Sequence, residues 1–210
     1  MCDQCGTVAD DAFTSSLGLP ISISRPEGLS LIEYLRAYHA DSVQVDCQSD
    51  ACIAERAVEI ESDDEDAEPF VNTRSRTYKI VDSPDILVIQ LMRYDTVIIG
   101  QNKDGEDVFE TRKLTTAVPF DEQLDLSEFA DDDEGVLKYR LFGVVGHDGL
   151  DIKSGHYVAA VRRRDGKGFA TISDTNIEDP PGSDITRLQR PRFGKVDFPA
   201  YMLLYQRVED

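Results

Sequence analysis

Short apolar runs, bounded by glycine, proline and aspartate, recur along the chain and carry the period of strands more often than that of helices. Ile86 to Met92 (ILVIQLM) is apolar on both faces, which predicts a strand inside a sheet rather than at its edge. Thr77 to Val81 predicts a strand before it, across the turn Asp82-Ser83-Pro84-Asp85. Tyr139 to Gly146, His156 to Arg163 and Gly168 to Ser173 predict a further group of strands. The connections within that group hold Asp148-Gly149, Ser154-Gly155 and Asp165-Gly166-Lys167-Gly168, all turn chemistry. Phe198 to Val208 predicts the closing strand. Its Tyr201, Leu203 and Tyr205 alternate with Met202 and Leu204, so both faces read as buried.

Helical periodicity is confined to one short stretch. Leu31, Tyr34, Leu35 and Tyr38 share a face, and Ser30 with Glu33 forms a capping box ahead of them. His39 closes this helix, where a cation complements the helix dipole. Phe13 to Ile23 reads as extended and is broken by Pro20. The stretches Glu61 to Glu68 and Asp131 to Gly135 are acidic and read as solvated loops. Asp95 to Arg112, with its Asp104-Gly105 turn, reads as a polar loop, and Asp179 to Val196 as a proline-containing connector.

Composition narrows the function classes. The 210 residues hold 22 Lys and Arg against 41 Asp and Glu, a net charge of -19. Such a surface repels nucleic-acid backbones and anionic membranes and suits a partner carrying basic residues. No run is long and apolar enough for a transmembrane helix, and the first residues, MCDQCG, do not form a signal peptide. The 4 cysteines fall in two close pairs, which points to a reducing, intracellular compartment (cytoplasm or nucleus) and to metal rather than a disulfide frame.

Two groups of residues carry candidate chemistry. Cys2-x-x-Cys5 and Cys47-x4-Cys52 would supply four soft ligands to a tetrahedral zinc; unliganded cysteines are the plainer alternative. His156 opens one strand directly after Gly155, and Ser173 and Asp174 stand where the next strand ends. If those strands are hairpin neighbours, the imidazole meets the Ser/Asp pair. A general base needs one ring nitrogen turned to the reacting group and the other held by an acceptor. The same spacing equally describes a structural histidine bonded to backbone.

Ser154-Gly155-His156-Tyr157-Val158-Ala159, with the His147-Asp148-Gly149 turn before it, resembles the histidine box of the ubiquitin-specific proteases, papain-like cysteine deubiquitinases. Further segments resemble that family in its own order: ILVIQLMRY at 86–94, VPFDEQLDLSEF at 118–129 and AYMLLY at 200–205. The resemblance implies an α+β fold in which an antiparallel palm sheet (81–210) carries the catalytic histidine and a zinc-ribbon fingers module (1–80) precedes it. It implies a structural, non-catalytic zinc on Cys2, Cys5, Cys47 and Cys52. His156 would be the base, and Ser173 and Asp174 jointly its orienting partners, in place of the family's more usual Asp or Asn. His147, Gly149, Gly155 and Tyr157 would contact substrate, and the segments 95–112 and 147–154 would flank the channel for the ubiquitin tail.

One part of the family pattern has no counterpart here. The nucleophile box, of the type Gly-Asn-Thr-Cys-Tyr, matches nothing in the 210 residues, and all four cysteines fit better as ligands. The expectation is therefore the fingers and palm without the thumb: a chain that binds ubiquitin, supplies the base to a thiol protease, and is inactive alone. Its expected partners are ubiquitin and either an N-terminal, nucleophile-bearing half or a second copy of itself. A non-catalytic ubiquitin-binding module is the alternative.

Overall fold

In the computed structural model the described residues are 2, 5–6, 18–24, 28–44, 49–54, 73–131, 135–149, 154–178, 191–193 and 196–208. In chain order the strands are β1 (Leu19–Ser22), β2 (Ala40–Gln44), β3 (Thr73–Thr77), β4 (Ile86–Met92), β5 (Tyr94–Gln101), β6 (Asp107–Lys113), β7 (Gln123–Asp125), β8 (Lys138–Asp148), β9 (His156–Arg162), β10 (Phe169–Ser173), β11 (Asn176–Glu178), β12 (Arg192–Phe193), β13 (Val196–Asp197) and β14 (Ala200–Arg207). The helix α1 spans Leu31–His39, and a 3-10 turn spans Ser127–Phe129. The chain divides into two compact units, Met1–Ser15 with Arg36–Lys79, and Ser16–Leu35 with Ile80–Asp210. Among the described residues no helix is long and apolar enough to cross a membrane.

The larger unit is built on an eight-stranded sheet of order β1-β4-β14-β8-β9-β10-β11, with β7 also paired to β8. Only β1 runs parallel to its neighbour; the other pairings are antiparallel. The apolar run of β4 lies inside the sheet between β1 and β14, as its composition predicts. Its Ile89 and Leu91 are fully buried, and Leu203 and Tyr205 of β14 and Leu141 of β8 join them. Each such side chain contributes about 1.5–3 kcal/mol on burial. The opposite face of β14 is only half-buried, so one face of that strand carries the core. Tyr205 is enclosed because its hydroxyl donates to the Asp121 carbonyl oxygen at 2.8 Å.

The helix start follows the capping logic. The Glu33 carboxylate accepts from the Ser30 backbone N–H at 2.8 Å and from its hydroxyl at 2.6 Å. Leu31 and Leu35 are buried, and the Leu31 N–H donates to the Pro119 carbonyl at 2.7 Å.

Three local expectations change. The stretch Thr77 to Val81 is not a strand: β3 ends at Thr77, and Ile80 makes one isolated bridge to Ala130. The stretch from Asp95 to Arg112 is not a loop but most of the β5–β6 hairpin, turning at Asn102 to Gly105. Val97, Ile98, Val108 and Phe109 are good strand formers, but the hairpin pairs only with itself, so no buried face imposes a period. In the smaller unit, β2 and β3 form an antiparallel pair. His39 is buried there, its Nδ1 2.8 Å from the Tyr78 carbonyl oxygen and its ring edge-on to Tyr38. That ring is a bonded interior group, where the sequence reads it as a cation at the helix end.

Candidate active site

Strand pairing brings the candidate residues together. Ala159 of β9 faces Ile172 of β10, so the next pair along sets Ser173 opposite Val158. His156 lies two residues from Val158 and therefore on the same face, a diagonal neighbour of Ser173. Its Nε2 stands 2.7 Å from Ser173 Oγ. Asp174 Oδ2 is 4.0 Å from the same nitrogen. Ser173 is buried, whereas the Asp174 side chain is 76% exposed. Asp174 is also the single described non-glycine residue with left-handed backbone, φ 52. It opens the two-residue turn between β10 and β11, where an aspartate tolerates that conformation. The imidazole thus has a short, fixed bond to a hydroxyl and a looser, solvent-screened approach to a carboxylate. Phe198 lies beside the ring, centroids 6.0 Å apart.

The turn ahead of His156 is tightly built. His147 pairs with Tyr157 across β8 and β9, and their rings lie 4.4 Å apart. His147 is 5% exposed and Tyr157 55% exposed. A Cβ at Gly155 would fall 2.0 Å from His147 Nε2 and 2.3 Å from the Asp148 carbonyl oxygen. Gly149, at φ +146, would carry a Cβ 2.3 Å from the Ser154 carbonyl oxygen. Only glycine fits at either position. Burial, with the neighbouring Lys113 ammonium, pulls the His147 pKa below its ordinary value, while Asp148 opposes the shift.

Lys113, at the end of β6, is a residue the sequence reading missed. Its Nζ lies 3.1 Å from His147 Nδ1 and donates to the carbonyl oxygens of His147 at 2.8 Å and Gly149 at 2.9 Å. No spacing in the sequence links position 113 to position 147; only the folding of β6 against the end of β8 does so.

The smaller unit holds the second group. The sulfur atoms of Cys2, Cys5 and Cys52 all lie within 4.8 Å of one another. Cys2 and Cys52 are buried with sulfurs 3.9 Å apart, and Cys5 Sγ is 3.1 Å from Ser49 Oγ. All three are free thiols. Gly6, at φ +67, turns the chain so that its N–H donates to the Cys2 carbonyl at 2.9 Å. Three converging, unbridged thiols on such a turn form a soft donor set that fits a tetrahedral thiophilic ion. Cys47, the expected fourth ligand, lies outside the described residues.

Comparison with known proteins gives these groups a context. The family model for ubiquitin carboxyl-terminal hydrolase matches residues 1–205. Ubiquitin carboxyl-terminal hydrolase 10 of Saccharomyces cerevisiae is 32% identical over 114 residues, covering 54% of this chain and 13% of the relative. Ubiquitin carboxyl-terminal hydrolase 2 of Rattus norvegicus is 26% identical over 209 residues, 98% of this chain and 28% of the relative. Among solved structures, the yeast SAGA DUB module superposes with TM-score 0.62 at 19% identity, covering 99% of this chain and 39% of that one. A SAGA DUB module bound to monoubiquitin superposes with TM-score 0.59 at 20% identity, over 92% of this chain and 36% of that one. The mostly β architecture is thus that of these papain-like enzymes. The chain spans well under half the length of each.

Proposed function

The chain belongs to the ubiquitin carboxyl-terminal hydrolase family, and from that membership we propose that it is the histidine-bearing part of a ubiquitin-specific thiol protease. The observation that carries the reading is the 2.7 Å contact between His156 Nε2 and Ser173 Oγ, with Asp174 at 4.0 Å. Ser173 accepts the Nε2 proton and fixes the tautomer, which leaves Nδ1 as the base. Nδ1 takes the proton of a cysteine thiol, and the thiolate attacks the carbonyl carbon of the ubiquitin C-terminus. The resulting imidazolium returns its proton to the departing amine, and water then hydrolyses the thioester with His156 again as base. Asp174, exposed and at a distance, steadies the imidazolium weakly.

The nucleophile comes from a segment other than these 210 residues, since no cysteine here fits the family's box. Tyr157 and the backbone at Gly149 and Gly155 border the path of the ubiquitin tail, with His147 supporting that backbone from beneath. The domain roles follow: a fingers module over 1–80, and a palm over 81–210. In the first, Cys2, Cys5, Cys52 and Cys47 hold a structural zinc, which ties the two knuckles together and takes no part in the chemistry.

Ubiquitin carrying a C-terminal electrophile tests the reading, with intact mass as the readout. The chain alone is expected to form no adduct. Mixed with a nucleophile-bearing segment of a relative, it is expected to support adduct formation and turnover that His156→Ala abolishes. An adduct on Cys2, Cys5, Cys47 or Cys52 of the isolated chain would sink both the zinc set and the missing-nucleophile assignment.

A further inference from the structure

Lys113 makes three directed contacts in the turn ahead of the candidate base. One ammonium reaches the His147 ring at Nδ1 and two carbonyl oxygens, of His147 and Gly149, all within 2.8–3.1 Å. An ammonium only donates, so Nδ1 must accept, and the neutral His147 ring carries its proton on Nε2. The ring held this way lies against Gly155, where a Cβ would stand 2.0 Å from Nε2 and 2.6 Å from Cε1. Gly155 is bonded to His156. Asp148, whose partner across the strands is His156, sits between the two carbonyls that Lys113 binds.

We infer that Lys113 is a positioning residue for the proposed base: through His147 and the carbonyls of the 147–149 turn it sets the backbone from which His156 projects. The inference rests on the reading of His156 as the base, but its mechanical content does not. Arg93 is too deep to share the task. It is fully buried, and its guanidinium bonds Ala200, Leu114 and Thr116 carbonyls instead. Asp148, Tyr157 and Tyr201 also face the His147 ring or its turn, and none supplies a second cation to Nδ1.

Only 3 histidines are present, so imidazole NMR of the intact chain can follow each one without any turnover. In the parent chain, His147 is expected to show an unprotonated, accepting Nδ1 and a titration midpoint below the ordinary histidine value. Lys113→Met should mix the two tautomers, raise the His147 midpoint toward the ordinary histidine value, and move the His156 resonances. Lys113→Arg, which keeps a cation with several donors in place, should leave His156 near its parent positions. Parent-like His147 and His156 spectra in Lys113→Met would overturn the inference. So would an Arg variant that moves His156 as far as Met does, since Lys113 would then be mere packing. If Lys113→Met fails to fold, the comparison of the Arg variant with the parent still decides. Failure of the ubiquitin probe with normal histidine shifts would count against the proposed activity, not against Lys113.

Discussion

At the scale of single residues the proposed site asks a hydroxyl to do what a carboxylate commonly does. On that reading the buried Ser173 hydroxyl, 2.7 Å from His156 Nε2, accepts its hydrogen bond and orients the ring, yet brings no charge to the imidazolium. In the assembled enzyme, Ser173→Ala is therefore expected to lower kcat roughly 10- to 100-fold, short of the about 10⁴-fold that a wrong tautomer costs in a serine-protease triad. Asp174→Ala should cost only a few-fold, because the carboxylate is exposed and 4.0 Å away. Steady-state kinetics of the two variants check the ranking, and a larger loss for Asp174→Ala would reverse the assignment. His147 carries a pH consequence of its own. Burial and Lys113 hold its pKa below the unfolded value, so the unfolded chain binds the extra proton first. Its contribution to stability is complete above about pH 6.5 and is lost as pH falls from there toward the folded pKa. Urea midpoints should drop over that interval, and His147→Gln should flatten the drop.

At the scale of elements, legibility in the sequence followed burial. Apolar runs located β4, β8, β9, β10 and β14 within a residue or two, because each has at least one buried face that dictates composition. The helix was legible from Ser30 and Glu33, the Glu33 carboxylate reaching back to the Ser30 backbone N–H as a capping box requires. The β5–β6 hairpin was not, because its residues face solvent and Phe109 is 61% exposed. Half of the site could be read for a related reason. His156 and Ser173 sit at strand ends marked by Gly155 and by the β10–β11 turn, so pairing β9 with β10 was enough to join them. Lys113 required knowing where the hairpin packs, and no local pattern encodes that. The central strand offers the direct stability test. Leu203→Ala in β14 removes a fully buried side chain and should cost about 2–5 kcal/mol in chemical denaturation.

At the scale of the whole molecule, two units with different kinds of interior predict different sensitivities. The larger rests on a continuous apolar sheet core. The smaller gathers Cys2 and Cys52 as its own buried cluster, with Cys5 against it. If zinc completes that cluster, a strong chelator should unfold residues of the smaller unit and leave the amides of β4, β8 and β14 protected from hydrogen exchange. Equal loss of protection in both units would refute a local structural role. For the proposed ubiquitin complex, a net charge of -19 predicts binding that weakens steeply with salt, through the on-rate more than the off-rate.

The ends of the sheet also shape how this protein behaves in a crowded solution. A long, regular outer strand is a template for foreign strands. Here, among the described residues, the eleven-residue strand β8 is enclosed, while the ends are β1, four residues interrupted by Pro20, and β11, only three residues and closed by Glu178. Pro20 withholds a backbone donor, and the acidic surface repels a second copy. The edges presented by the described strands are therefore poor templates, and the most amyloid-like sequences, ILVIQLM and AYMLLY, lie inside the sheet, out of reach of one another's copies for as long as the fold holds.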